Sequence, residues 1–274
     1  MKVFAYVVAA SKNPDIVECV VPYEVSDNLI FFGPCKKRLR ENFYRWYLRN
    51  PHKKEADVSS ENLYIVGVNG SNTEKIRKIV WVGKVQKILT FERAYHILSS
   101  EEQFKEMVIR QDSPLHLEPM YDERRTFIGY KLRSKVHERN DEWILDVIKK
   151  KNDPNVEIKS KSLILKDASK RREIFFRDCC FLCENGFYAE GNGIDINENI
   201  LEIFKEAQQN KNDVNNYAIF GLRKDGSADG LTGNYLEISG TIAEKLIKTV
   251  IKKAKKLVIQ NKSLKGDIQR RGKC

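Results

Sequence analysis

The stretches Leu63-Tyr-Ile-Val-Gly-Val68 and Ile79-Val-Trp-Val-Gly-Lys-Val85 decide the fold class that this sequence predicts. β-branched and aromatic residues dominate both, and the polar segment 69–75 separates them, so they predict two paired strands. Each stretch carries a glycine near its centre. Because a glycine inside a strand often marks a bend or a close backbone approach, as in small curled barrels, we expect the sheet to curl.

Further strands and helices lie on both sides of this pair. Apolar runs bounded by turn residues predict strands at residues 3–9, 29–32, 127–132, 162–165, 174–183 and 217–222. Helical spacing of apolar residues predicts helices at residues 35–50, 91–97, 100–109, 141–150 and 198–208, and one that starts at 241. These elements indicate an α+β fold, a curled mixed β-sheet flanked by helices. The polar segment 149–154 separates residues 1–148 from residues 155–274, which form either two domains or a single one.

The positive charge of the chain is concentrated near its C-terminal end. The net charge is +11, and residues 244–274 hold eleven Lys or Arg against two acids, which places +9 there and +2 in the other 243 residues. Thr241-Ile-Ala-Glu244 predicts a capped helix start, and an apolar stripe from Ala243 to Val258 predicts that one side docks while lysines face outward. Three interpretations of this basic amphipathic helix stay open: it binds a polyanion, it binds an acidic partner protein, or its lysines are solvated and bind no partner.

Six cysteines at irregular spacing, two of them adjacent, do not form a disulfide framework, so we expect a reducing compartment and a cytoplasmic protein. Lys2 and the apolar run 3–10 imitate a short signal peptide, but the run fits a buried first strand better. No run approaches the roughly 18 apolar residues that span a bilayer, so no membrane is expected. Cys180 and Cys183 have the spacing of a zinc or redox pair, but a second pair is missing, and we predict no metal and no cofactor.

Basic residues crowd the segment Gly33-Pro-Cys-Lys-Lys-Arg-Leu-Arg40, which runs into the predicted helix. Cations in a first helical turn oppose the positive end of the backbone dipole by roughly a few tenths of a kcal/mol each, so helix stability does not favour them. A phosphate bound there would relieve the repulsion. Alternatively, these cations are solvated and Phe43, Trp46 and Tyr47 belong to the core. The residues predicted to contact nucleic acid are Lys36, Lys37, Arg38, Arg40, Arg45 and Arg49.

A second segment, Phe181-Leu-Cys-Glu-Asn-Gly-Phe-Tyr-Ala-Glu-Gly-Asn-Gly193, contains the turn signal Asn185-Gly186. That signal predicts a hairpin with strands at 181–184 and 187–189. Phe187 and Tyr188 would then point to opposite faces, so at most one of them stacks on a base. Core packing is the alternative for both.

Motifs for catalysis are weaker. Glu157-Ile-Lys159 has the Glu-x-Lys arrangement that can hold a divalent metal beside a general base, and Asp153 precedes it by four residues. That spacing is short for two neighbouring strands to bring the two carboxylates together. Templates for a dinucleotide, a phosphate loop and a calcium loop each lack a required residue. Whether the chain is an enzyme is left open.

Three pieces of the sequence resemble the nucleotide-modification-associated domain proteins of phages and bacteria, and more loosely the EVE and YTH members of the PUA superfamily. They are the opening strand Val3-Phe-Ala-Tyr-Val-Val-Ala, the Cys35-Lys36 step followed by Arg38 and Arg40, and the late segment from Phe181 to Ile194. The order of segments 27–32, 65–68 and 80–85 is also similar to the barrel of an EVE-type domain. The resemblance implies a PUA-like barrel flanked by helices that binds a nucleotide or a flipped, modified base. Candidates for the pocket wall are Phe32, Trp81 and Tyr95, beside Phe187 and Tyr188 named above.

The sequence therefore predicts a nucleic-acid-binding protein, and the resemblance implies recognition of a modified base as the narrower interpretation. Because such domains are associated with phage DNA modification and with antiphage defence, we expect DNA rather than RNA. Two alternatives stay open: a metal-dependent nuclease or base-modifying enzyme that acts on nucleic acid, and an interaction module whose C-terminal helix docks on an acidic protein. No pattern predicts an oligomeric state.

Overall fold

The computed structural model describes residues 1–7, 23–26, 29–33, 36–50, 52–68, 78–102, 117–132, 153–159, 162–170, 173–188, 193–209 and 235–260. The strands within these segments are β1 Lys2–Val7, β2 Tyr23–Ser26, β3 Leu29–Phe32, β4 Glu55–Asp57, β5 Leu63–Val68, β6 Lys78–Leu89, β7 Leu117–Tyr121, β8 Phe127–Leu132, β9 Val156–Lys159, β10 Ser162–Leu165, β11 Cys180–Tyr188, β12 Ile194–Asp195 and β13 Leu236–Ser239.

Helices in the same segments are α1 Lys37–Phe43, α2 Phe91–Ser100, α3 Glu198–Gln209 and α4 Gly240–Gln260. α1 continues directly into a π turn, Tyr44–Leu48, and short 3-10 turns lie at Ser59–Glu61 and Ala168–Lys170. None of these described helices combines the length and the apolar character that crossing a bilayer requires.

The main sheet has the strand order β13-β1-β5-β6-β11-β3-β2, and β4 and β12 pair with the two ends of the long strand β6. β1 and β5 are parallel, whereas the other described pairs are antiparallel. Val3 lies opposite Tyr64 of β5 and Ile238 of β13, so β1 is an interior strand, as predicted. Strands from both predicted regions of the chain therefore share one sheet.

This sheet curls strongly. β5, β6 and β11 separate β1 from β3 in the strand order, yet the rings of Tyr6 and Phe32 lie 5.5 Å apart between their centroids. At Gly83, where the sequence predicts a close approach, an added β-carbon would stand 2.8 Å from the β-carbon of Cys183. The α+β fold with a mixed sheet is confirmed, but the described strands do not close into a barrel, because β13 and β2 remain at its edges.

Alternating side chains divide the main sheet between separate cores. Val3 and Ala5 belong to a cluster under α3 and α4, whereas Phe4 and Tyr6 face the inside of the curl. The predicted stripe on the last helix is confirmed at Ala243, Leu246, Ile247, Val250 and Ala254, which are buried. The helix begins at Gly240, so Thr241 lies inside the first turn and not at the predicted capping position.

A second, antiparallel sheet with the order β7-β8-β10-β9 covers the outer face of β3 and β11 together with α2. Asp178 precedes β11 and is fully buried. Its carboxylate links α2 and β8, because it accepts hydrogen bonds from Phe91 N (2.8 Å) and from the Tyr130 hydroxyl (2.6 Å). Burial first, and the Asp178 carboxylate second, raise the pKa of Tyr130, so this hydroxyl stays a neutral donor. Buried polar groups with satisfied partners of this kind fix one arrangement of the packed layers.

Two predictions about the late segment are wrong. β11 runs without interruption from Cys180 to Tyr188, and its pairing with β6 shifts register between Glu184 and Phe187. Asn185-Gly186 is therefore a bulge inside one strand and not a hairpin turn, because β11 pairs with β6 both before it, at Glu184, and after it, at Phe187. Residues 174–179, predicted as strand, form turns ahead of β11. The predicted elements at 141–150 and 217–222 and most of 100–109 lie outside the described residues.

Two glycines with positive φ form a matched pair for testing the packing of the second sheet. An alanine β-carbon at Gly129 (φ +147°) would stand 1.7 Å from the carbonyl oxygen of Leu163 on β10, whereas one at Gly240 (φ +65°) meets nothing within 4 Å. We expect Gly129→Ala to lower the free energy of unfolding by more than about 4 kcal/mol or to prevent folding. Gly240→Ala should cost only about 1 kcal/mol, from backbone strain. Guanidinium chloride denaturation measures both, and equal stabilities would contradict this packing.

Candidate nucleic-acid interface

The basic segment enters α1 with Lys36 turned towards the core. Lys36 has left-handed backbone dihedrals (φ 57°, ψ 56°) at the residue before α1, and it is 9% exposed. Its ammonium group lies 5.0 Å from the centroid of the Tyr6 ring, a distance typical of a cation–π contact. Lys36 therefore contacts the aromatic interior, and the side chain of Lys37 lies outside the described part of the molecule.

Arg40 is fully buried, so its predicted contact with phosphate is wrong. Its Nη1 donates a hydrogen bond to the carbonyl oxygen of Arg177, and its guanidinium carbon lies 5.7 Å from the centroid of the Phe91 ring. Arg40 follows the buried Leu39 and lies one turn from Phe43, which places it on the core side of α1. The six cations are close in the chain, but helical spacing separates Arg40 from Arg38.

Three of the six predicted residues are exposed along the outer side of α1 and the π turn: Arg38, Arg45 and Arg49. Arg45 follows Arg38 by seven positions and Arg49 follows Arg45 by four, and these spacings place them on one side of a helix. Arg45 forms an ion pair with Glu41 and lies 5.6 Å from the centroid of the Phe176 ring. We call Arg38, Arg45, Trp46 and Arg49 the α1 surface.

Trp46 is exposed because of the π turn, contrary to the alternative that places it in the core. It is 51% exposed, whereas Phe43, Tyr44 and Leu48 are buried. Hydrogen bonding from i to i+5 widens the turn, so Leu48, five residues after Phe43, reaches the core where an α-helix would present Trp46 or Tyr47. Sequence reasoning missed Trp46 as a surface residue because apolar spacing alone does not reveal a π turn.

The described candidates for a base pocket lie in two separate parts of the molecule. Phe32 and Trp81 are fully buried, their rings stack 5.5 Å apart, and the indole N–H of Trp81 donates to the Tyr6 hydroxyl at 2.8 Å. Tyr95 packs against a different cluster, beneath the second sheet. The structure describes only the backbones of Phe187 and Tyr188, which pair with Val82 and Trp81. The described members of this set form parts of two cores.

Glu157 and Lys159 lie on β9, at the edge of the second sheet. Their side chains pair with each other, with Lys159 Nζ 3.0 Å from Glu157 Oε1. Asp153 is engaged locally, because its carboxylate accepts hydrogen bonds from the backbone and side-chain nitrogens of Asn155, both at 2.9 Å. Within the described segments, no group of three His, Cys, Asp or Glu side chains is placed to hold a metal ion.

Cys180 and Cys183 lie on opposite faces of β11. Cys180 belongs to the cluster under the second sheet and Cys183 to the inside of the curl, as residues three apart in a strand must. The two thiols therefore cannot bind one metal ion together. Burial raises the pKa of Cys179, Cys180 and Cys183 well above the usual value, so all three stay protonated and unreactive.

Alkylation tests this placement, because the tryptic fragment 178–205 contains these three cysteines and no others. At pH 8 we expect iodoacetamide to leave the fragment unmodified in the native protein and to modify it three times after unfolding in guanidinium chloride. Mass spectrometry of the digest measures both states. Modification of the native protein as fast as of the unfolded protein would show that the thiols are accessible.

A second set of exposed cations lies on α4. Lys245, Lys248 and Lys252 are exposed, opposite the buried stripe of the same helix. α4 packs on the face of β1 that carries Val3 and Ala5, whereas α1 packs on the face that carries Phe4. The α1 surface and the α4 lysines therefore lie on opposite sides of the main sheet.

Comparison of this chain with protein-family models, with curated proteins and with solved structures gives no match. The resemblance to nucleotide-modification-associated proteins therefore stays a prediction from the residues quoted above. What the site can do follows from the geometry of the α1 surface.

Proposed function

We propose that this chain binds nucleic acid and that the guanidinium groups of the α1 surface contact its phosphates. The observation that carries this proposal is the alignment of exposed Arg38, Arg45 and Arg49 along one side of α1 and the π turn, around the exposed ring of Trp46. A guanidinium group presents a planar fork of donors that matches phosphate oxygens, and arginine keeps its charge at any physiological pH. Nucleic acid supplies both a row of phosphates and aromatic bases.

The charge of the chain supports the same ligand class. The net charge of +11 favours association with a polyanion, and releasing condensed counterions makes such binding strongly dependent on salt. The exposed lysines of α4 add a second cationic surface. Since these lysines lie on the other side of the main sheet from the α1 surface, we expect them to add affinity that does not depend on the nucleotide sequence.

DNA as the ligand, recognition of a modified base and a PUA-like barrel belong to this proposal through the resemblance alone. The curl of the main sheet, which brings Tyr6 to Phe32, is compatible with such a barrel. The burial of Phe32 and Trp81 means that a base pocket would need other side chains than these.

Charge reversal tests the α1 surface directly. We expect the double variant Arg38→Glu and Arg49→Glu to bind oligonucleotides more weakly. Its slope of log affinity against log salt on duplex DNA should be shallower by up to about 1.8, because each phosphate that a cation neutralises adds about 0.9 to the slope. Arg45 is left intact because a glutamate at that position would face the carboxylate of Glu41. Fluorescence anisotropy over a range of salt concentrations measures affinity and slope.

A matched control separates direct phosphate binding from overall charge. The control reverses Lys131, which lies on β8 of the second sheet, and Lys166, which directly follows β10. Both lysines are exposed, and replacing them with glutamate changes the net charge by the same amount as the α1 double variant does. We expect this control to keep the salt slope of the wild type. Equal losses of affinity in the two double variants would reduce the effect to overall charge and contradict the proposed interface. Weaker binding only on reversal of Lys245, Lys248 and Lys252 would move the interface to α4.

A further inference from the structure

We propose that Trp46 is a stacking platform for an unpaired nucleobase, so that the ligand class of the α1 surface is single-stranded nucleic acid. This inference rests on the proposed function and deepens it. It begins from the π turn Tyr44–Leu48, which directs Leu48 inward and leaves Trp46 half exposed. π turns are rare and occur frequently at functional sites.

Burial of the Trp46 ring would stabilise the fold, so its exposure lowers the free energy of unfolding. Burying a large aromatic side chain stabilises a protein substantially, and indole offers more contact area than any other side chain. A singly exposed apolar residue is common on protein surfaces and proves nothing by itself. Here the exposed ring coincides with a backbone irregularity that produces the exposure, and the exposed residues Arg45 and Arg49 are close to it in the chain.

Neighbouring aromatic residues hold the Trp46 ring in place. Its centroid lies 5.5 Å from that of Phe43 and 6.3 Å from that of Phe4, with interplanar angles of 47° and 41°. Phe43 and Phe4 are buried, so part of the indole rests on a rigid core while the rest faces solvent. A ring fixed before binding loses little conformational freedom when a base stacks on it.

The geometry favours an unpaired base over a duplex. Inside a duplex, neighbouring base pairs cover both faces of every base, so an indole cannot stack without displacing one of them. In a single strand the faces are open, and aromatic side chains beside a basic track bind successive bases with little sequence preference. Arg45 precedes Trp46 directly and Arg49 follows it by three residues, so the phosphates on either side of a stacked base would meet guanidinium groups.

The experiment compares Trp46→Ala with Trp46→Phe on a fluorescent oligothymidylate and on a duplex of the same length. For Trp46→Ala we expect single-strand binding about tenfold weaker or more, because stacking on an aromatic residue contributes strongly per base, and nearly unchanged duplex binding. The salt slope should stay that of the wild type, since no charge is removed. Trp46→Phe should retain most of the single-strand affinity. Thermal melting confirms that the fold is kept.

Two outcomes overturn the inference alone: single-strand binding by Trp46→Ala equal to that of the wild type, or an equal weakening on both ligands. In both, a shallower salt slope for Arg38→Glu and Arg49→Glu would leave the proposed function intact. A wild-type protein that binds neither oligonucleotide at low salt would overturn the proposed function and this inference together. Tryptophan emission gives an independent measurement. Binding of the oligothymidylate should quench the emission of the wild type, and it should quench the emission of Trp46→Ala much less.

Discussion

The stack of Phe32 between Trp81 and Phe181 is the constraint on which the rest of this structure depends. Its centroid lies 5.5 Å from each of the two rings, and the Phe181 ring is tilted from it by only 8°. Phe32 and Phe181 are cross-strand partners on β3 and β11, whereas Trp81 lies on β6, with β11 between it and β3, so the contact of Phe32 with Trp81 is the one that requires the sheet to curl. Burial of these large aromatic surfaces stabilises the curl. Aromatic side chains therefore fill the space inside the curl of the main sheet.

The same aromatic interior sets the orientation of α1. Phe43 packs on Phe181 and Phe4, each with centroids 4.8 Å apart, and this contact decides which side of the helix faces inward. Arg40 then lies on the inner side, where its guanidinium group donates a hydrogen bond to the carbonyl oxygen of Arg177 and lies near the ring of Phe91. Arg38 and Arg49 fall on the outer side. A cluster of cations that looks uniform in the sequence is thus divided by packing into structural and surface residues.

Periodicity predicted the regular elements of this fold well. β3, β5, β8 and β10 have the predicted bounds, because each is a short apolar run that ends at turn residues. The bulge at Asn185-Gly186 and the π turn at Tyr44–Leu48 were not predictable in the same way. In both places a local signal gives way to tertiary structure: pairing with β6 on both sides of the bulge keeps β11 extended, and the interior selects Leu48 over Trp46. The alternative that placed Trp46 in the core is wrong for that reason.

The two cationic surfaces lie on opposite faces of the main sheet. The main sheet separates them, with Phe4 facing α1 and Val3 facing α4 on successive residues of β1. Counterion release at each surface adds to affinity wherever a polyanion is long enough to pass around the molecule. The α1 surface combines guanidinium groups with the more exposed of the two large aromatic rings, Trp46 and Tyr121, that are exposed among the described residues. Under the proposed function, discrimination between ligands would therefore belong to α1, and the lysines of α4 would contribute attraction that depends on charge and salt.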